Sequence, residues 1–229
     1  MKAQKIKLAV DAVVFGYEKE RLYILLIQQK FGPLKNQWAL PGGFVKNGEG
    51  LQQAVERELR EETGMTLDYL EQLATFGDDI ERDPRAQVVT VAYYGLVNSS
   101  RFVLHAGSDA EKTQWFPIHD APKLAFDHAQ ILETALERLK GKLRYQAVGF
   151  DLLDKEFPFS DLEQLYMTIL ERKIDRRNFR KKMLSLGFIE ETTKQAAKTN
   201  GRPGKLFRFN QKKYKKLRKQ GFHFELKFA

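Results

Sequence analysis

Glu58, Glu61 and Glu62 stand at i, i+3 and i+4 within Leu51 to Thr63, a stretch of good helix formers without proline. Gly64 follows as a C-terminal stop. On a helix this spacing gathers three carboxylates into one patch, beside an apolar stripe made by Val55 and Leu59. Like charges so placed repel one another, and a patch bordering buried apolar surface is not fully relieved by water. A hard divalent cation relieves it: Mg2+, or Mn2+, takes a few carboxylates, waters and the phosphates of a substrate. Glu58, Glu61 and Glu62 are therefore candidate metal ligands and catalytic carboxylates. Arg57 is a candidate catalytic support that holds them by paired hydrogen bonds. Gly42 and Gly43 let the preceding loop approach a ligand closely with its backbone amides free. The competing reading is a solvated acidic helix face.

Elements able to position this helix lie on both sides of it. Lys7 to Phe15 and Leu22 to Ile27 are β-rich runs around the polar turn Tyr17-Glu18-Lys19-Glu20, which predicts a hairpin. Trp38 to Leu40 leads into Pro41-Gly42-Gly43. Leu67 to Phe76 and Gln87 to Val97 predict two further strands around a polar loop, Gly77 to Arg85, and another strand is expected near Thr113 to Ile118. Ala129 to Lys140 carries Ile131, Ala135 and Leu139 at helical spacing.

Arg82 and Arg85 are candidates to meet a pyrophosphate or ribose through charge-assisted hydrogen bonds; pairing with Asp83 or Asp79 in a turn is the alternative. Trp38 is a candidate to stack on a base, against the commoner role of a packed tryptophan. His105, His119, His128 and His223 show no metal-ligand spacing. His128 reads as a helix-start or packing residue.

With 229 residues and no cysteine, the chain has room for two modest domains and excludes disulfides and Cys-ligated zinc. The amino-terminal lead is a poor signal peptide, because Asp11 breaks its short apolar run. No stretch approaches 18 apolar residues. A cytoplasmic protein with no membrane partner is the expectation.

Charge divides unevenly. Residues 1–150 hold 19 Lys and Arg against 20 Asp and Glu, whereas residues 151–229 hold 20 against 10. The entire basic excess lies in the last third, as expected of a module that meets a polyanion. After a linker at about 141–158, Ser160 with Glu163 predicts a capping box for a helix from Asp161 to Glu171. Asp175 predicts the cap of a second helix, Arg176 to Leu186, stopped by Gly187. That helix sets Phe179, Met183 and Leu186 on one face and cations on the others, a form the major groove accepts. Phe188 to Thr193 and Leu206 to Phe209 predict a hairpin with Arg202 in its glycine-rich tip, followed by a lysine-rich last helix or tail. Candidate DNA contacts are Arg176, Arg177, Asn178, Arg180, Lys181 and Arg202.

Residues 43 to 65 fit the pattern G-x5-E-x7-R-E-U-x-E-E-x-G-U at every fixed position: Gly43, Glu49, Arg57, Glu58, Leu59, Glu61, Glu62, Gly64 and Met65. The run resembles the Nudix box. The segments Tyr69 to Gly77, Arg82-Asp83-Pro84-Arg85, Val91 to Tyr94 and Leu124 to His128 resemble the branch holding ADP-ribose pyrophosphatases and the Nudix-related transcriptional regulators, although Ala86 stands where many relatives have glycine. Arg176 to Arg180 and Gly201-Arg202-Pro203 resemble the carboxy-terminal domain of those regulators.

The resemblance implies an α/β Nudix sandwich (α/β/α) over 1–145 and a winged helix-turn-helix over 146–229. It further implies a homodimer on a palindromic DNA operator, a Nudix domain that senses ADP-ribose or a related metabolite, and repression, commonly of NAD-metabolism genes. Several regulators of that family have eroded boxes. Here the intact positions favour retained Mg2+-dependent hydrolysis of ADP-ribose to AMP and ribose 5-phosphate, so a catalytic sensor and a pure receptor both stand. A Nudix hydrolase with an accessory basic domain is the reading from the other class.

Overall fold

The computed structural model describes residues 5–98, 110–195, 204–222 and 224–226. The chain divides into two compact units, one of Met1–Glu18 with Leu22–Arg138 and one of Leu139–Ala229 with Lys19–Arg21.

The first unit is built on a seven-stranded sheet. Strands β1 (Lys7–Glu18) and β2 (Arg21–Gln29) form the expected hairpin, and its turn residues Lys19 and Glu20 both have positive φ. That conformation matches the twist of paired strands. β3 (Trp38–Ala39) and β7 (Ala110–Pro117) pair antiparallel with β2. β6 (Val88–Val97) runs parallel to β1, and β5 (Leu70–Phe76) borders β6 antiparallel. The run expected from Leu67 joins the sheet only at Leu70; Leu67 itself packs against the core.

Helix α1 spans Leu51–Thr63, the bounds its sequence predicts, and ends on Gly64 at φ 71°. Val55 and Leu59 pack on Val10, Ala12 and Val14 of β1 and on Val91 and Tyr93 of β6. Successive strand residues alternate faces, so Asp11 projects away from α1. On that opposite side begins α2, which runs from His128 to Tyr145, five residues beyond the predicted end.

Gly42 and Gly43 differ from expectation. They belong to a short strand, β4 (Gly42–Phe44), paired antiparallel with β1. Their lack of side chains serves this close pairing: a Cβ on Gly42 would lie 2.6 Å from the Asp11 carboxylate.

In the second unit, the stretch expected as linker is largely structured. It contains the end of α2, a 3-10 turn at Phe150–Leu152 and strand β8 (Phe157–Pro158). Helix α3 (Phe159–Leu170) starts two residues earlier than predicted and is preceded by Pro158, with no side-chain cap. The capping box does not form, because Ser160 turns to Asp161 and Glu163 is buried. Helix α4 (Arg176–Ser185) has the predicted cap: the Asp175 carboxylate accepts from the Asn178 amide at 3.1 Å. Gly187 follows at φ 77°. Strands β9 (Ile189–Gln195) and β10 (Lys205–Phe209) form the hairpin, β8 pairs with β10, and α5 (Gln211–Lys219) follows.

An aromatic core holds this unit together. Phe150 and Phe209 stack at 4.2 Å between centroids, Tyr166 packs on Phe179, and Phe188 meets Tyr214. The hairpin tip with Arg202, and also His105 and His223, lie outside the described residues. Among the described residues no helix is long and apolar enough to cross a membrane.

Leu59 is 1 % exposed and holds α1 to the sheet. Leu59→Ala is expected to lower unfolding stability by about 2–5 kcal/mol, measured by chemical denaturation.

Candidate functional site

Arg57 is the centre of the box. Its Nε and Nη2 donate to the two oxygens of Glu49 at 2.7 and 3.0 Å, and Nη2 also donates to the Phe44 carbonyl at 3.1 Å. Nη1 donates to Glu58 at 2.6 Å and to Glu61 at 3.1 Å. One guanidinium thus joins β4, the loop before α1, and two carboxylates of α1. Gly43 leaves room for this arrangement: a Cβ on it would lie 2.5 Å from a Glu58 oxygen, so the carboxylate would have to shift.

The three glutamates do not share one patch. Glu58 and Glu61 converge on Arg57, whereas Glu62 is buried and accepts from the Gly42 amide at 2.9 Å. The Gly42 amide expected to be free for a ligand is therefore engaged. Among the described residues no group of three or more acidic or histidine side chains is gathered for a metal ion.

Glu62 instead faces a cavity of about 370 Å3, also lined by Asp11, Arg82, Arg85, Phe126 and His128. This volume is in the range of small-ligand sites. Arg82 is buried and bonds both oxygens of Asp127, with Asp11 at 3.8 Å. Its guanidinium pairs with Asp127 rather than with Asp79 or Asp83, although its backbone amide donates to the Asp79 carbonyl at 3.3 Å. Arg85 is held by Asp83 at 2.7 Å and lies between two rings, 5.3 Å from the centroid of Phe44 and 5.0 Å from that of Phe126. Phe126 has a positive φ of 55°, strained for a bulky residue. Trp38 does not line the cavity; it packs edge-on against Phe116.

His128, the first residue of α2, is a cavity wall rather than a packing residue alone. Its Nδ1 accepts from the Leu40 amide at 2.9 Å, which places the ring proton on Nε2, 3.5 Å from Asp11. Burial pushes its pKa below the ordinary value against the pull of Asp11 and Asp127, so the ring is neutral. Sequence reasoning did not assign Asp11, Phe126, Asp127 or His128 to the site. The available signal was Asp11, a lone charge inside an otherwise apolar strand.

In the second unit, Arg177 and Lys181 project from α4 into solvent, with no ion pair among the described residues. Arg176 lies 3.9 Å from the buried Glu163. Asn178 is occupied by its cap, donating to Asp175 at 2.7 Å. The Arg180 guanidinium stacks on Phe159 and Phe207, 4.4 and 5.1 Å from their centroids. The structure thus separates exposed cations from those held by neighbours.

Residues 5–135 match the NUDIX domain family, and residues 149–209 match the NrtR DNA-binding winged helix domain. The chain is 37 % identical over 206 residues to the ADPR-responsive transcriptional repressor NtrR of Acinetobacter baylyi, covering 88 % of this chain and 81 % of that protein. The chain belongs to the NrtR family. Shewanella oneidensis NrtR in complex with a 27mer DNA superposes with a TM-score of 0.79 at 31 % identity, covering 96 % of this chain and 99 % of that one. The Nudix domain of the same Shewanella NrtR, complexed with ADP-ribose, is 40 % identical, with a TM-score of 0.56 over 61 % of this chain and 90 % of that domain. An ADP-ribose pyrophosphatase of Methanocaldococcus jannaschii is 39 % identical over 125 residues, 55 % of this NrtR-family chain and 70 % of the archaeal enzyme.

Two carboxylates of the box respond to pH in opposite directions. Hydrogen bonds from Arg57 hold Glu49 at about 2, from an ordinary 4.5. Its contribution to stability is complete above the ordinary value and is lost as pH falls toward about 2. Burial pushes Glu58 up despite Arg57. Its charge therefore counts against folding at neutral pH, and the penalty fades as pH falls through the raised value. Without divalent cation at neutral pH, Glu58→Gln is expected to raise the thermal midpoint and Glu49→Gln to lower it. Thermal unfolding of both variants across pH checks the pair, and the reverse order would contradict these signs.

Proposed function

We propose that the protein is an ADP-ribose-responsive, DNA-binding transcriptional repressor that acts as a homodimer, its Nudix domain the receptor and its winged helix the operator reader. The observation that carries this reading is the likeness over nearly the whole chain to an NrtR structure bound to DNA. The cavity beside the box supports a nucleotide-sized ligand. Its Arg85 is presented between two rings, an arrangement suited to a phosphate or ribose next to a stacked base. Exposed Arg177 and Lys181 on α4 supply the cations that DNA backbone and base edges require.

The family's divalent cation fits the box in part. Glu58 and Glu61 offer hard oxygen donors side by side, and the raised affinity of Glu58 for protons is a burden that a cation relieves. Mg2+ needs only one or two carboxylates when substrate phosphates complete its shell. Glu62, bonded to the Gly42 amide, is less suited to the same ion and instead shapes the cavity wall. A bound cation would polarise the diphosphate. Arg57 orients Glu58 and Glu61, and the neutral His128 with Asp11 and Arg82 fixes the floor.

The Arg57-centred box favours a second, compatible reading: hydrolysis in which one water adds across the phosphate anhydride of ADP-ribose to give AMP and ribose 5-phosphate. A sensor that slowly destroys its effector resets itself. Repression of NAD-metabolism genes would suit such an effector.

Calorimetry with ADP-ribose and scoring of AMP release with Mg2+ test this reading. Binding in the wild type is expected, with any AMP release abolished in Glu61→Gln; release that survives the substitution would move the metal site elsewhere. No binding would remove the receptor assignment. Arg177→Ala is expected to weaken operator binding by about 1–3 kcal/mol if it contacts a base, leaving ADP-ribose affinity unchanged. Gel shifts and calorimetry on the same preparation read both.

A further inference from the structure

We infer that helix α5 is a second DNA-contacting surface, gripping phosphates outside the stretch met by α4; this rests on the DNA-binding reading above. The NrtR winged-helix match ends at residue 209, before α5 begins at Gln211. Within Gln211–Lys219 stand Lys212, Lys213, Lys215, Lys216, Arg218 and Lys219, with no acidic residue among them. Lys213 has Glu190 at 3.9 Å, and among the described residues none of the other five forms an ion pair.

A solvated tail needs no anchor, and this helix is anchored at both ends. The Asn210 side chain caps it by accepting from the Lys213 amide at 2.9 Å. Tyr214 is buried against Phe188 and Phe209, and its hydroxyl accepts from the Ala147 amide at 3.1 Å. Behind the helix, Phe222 and Phe224 return to Phe188.

Packing thus holds in place a helix that its own charges oppose. Lys212, Lys215, Lys216 and Lys219 repel at i, i+3 and i+4 spacing. Lys212 and Lys213 also face the positive end of the helix dipole. A polyanion relieves both conflicts. DNA is favoured over an acidic protein because α5 starts where α4 ends: the Asn210 amide donates to the Phe188 carbonyl at 2.8 Å, one residue past Gly187. Nine residues of helix extend roughly 13 Å, about four base-pair steps along the duplex axis.

The test uses the full chain, with Lys215, Lys216 and Lys219 all changed to glutamine, a good helix former. Affinity for a mixed-sequence DNA duplex is measured by anisotropy over a range of salt. The logarithmic salt slope is expected to become shallower by about one unit for each phosphate no longer neutralised, so by up to about three. Replacing the same residues with arginine should keep the wild-type slope. Far-UV circular dichroism and a thermal unfolding transition matching the wild type show that the second unit of the glutamine variant is folded. A wild-type slope and affinity in the glutamine variant would overturn the inference while leaving the DNA-binding reading intact. Failure of the wild type to bind any duplex would overturn both. Loss of poly-glutamate binding with duplex binding unchanged would assign α5 to an acidic protein and also overturn it.

Discussion

One guanidinium sets the geometry on which the first unit's chemistry depends. Arg57 ties the Phe44 carbonyl, Glu49, Glu58 and Glu61 into a single network. Charge-assisted bonds of this kind are shorter and stronger than neutral ones and specify direction. Because Arg57 holds Glu58 against β4, a side chain at position 43 would push the Glu58 carboxylate out of this network. Arg57 also holds Glu58 and Glu61 side by side and offsets part of their mutual repulsion. Glu62, outside this network, is left to brace Gly42 and close the cavity.

Strand β1 links the box to that cavity. Its residues Val10, Ala12 and Val14 form the surface on which α1 packs. Asp11, between them, points the other way and reaches Arg82 and His128. The alternation that buries the helix therefore also delivers the one charge of the cavity floor that β1 supplies. In the second unit, an aromatic core fixes two short cationic helices that would not be stable alone. The exposed cations stand on these helices, whereas the first unit gathers carboxylates around Arg57.

Local rules made much of this legible in the sequence. The bounds of α1, its stop at Gly64 and the Asp175 cap follow from propensity and capping within a few residues of chain. The separation of Glu62 from Glu58 and Glu61 did not, because it depends on where β4 lies relative to α1. Nor did the failed cap at Ser160, where burial of Glu163 beside α4 outweighs the local box. The cavity was the least legible feature: Asp11, Arg82 and His128 meet only through tertiary folding, and Arg82 finds Asp127 rather than its neighbours in sequence. Trp38, a prominent aromatic in the sequence, packs edge-on against Phe116 and is not among the residues that line the cavity.

The central claim is that nucleotide binding in the first unit controls DNA binding by the second, and thermodynamic linkage makes it measurable. ADP-ribose affinity is measured with and without saturating operator duplex, and duplex affinity with and without saturating ADP-ribose. The account predicts that each ligand changes the other's affinity by the same factor, of about 5–150 for typical coupling energies. Two affinities that ignore each other would contradict it, leaving a nucleotide-binding domain and a DNA-binding domain that share a chain without a switch.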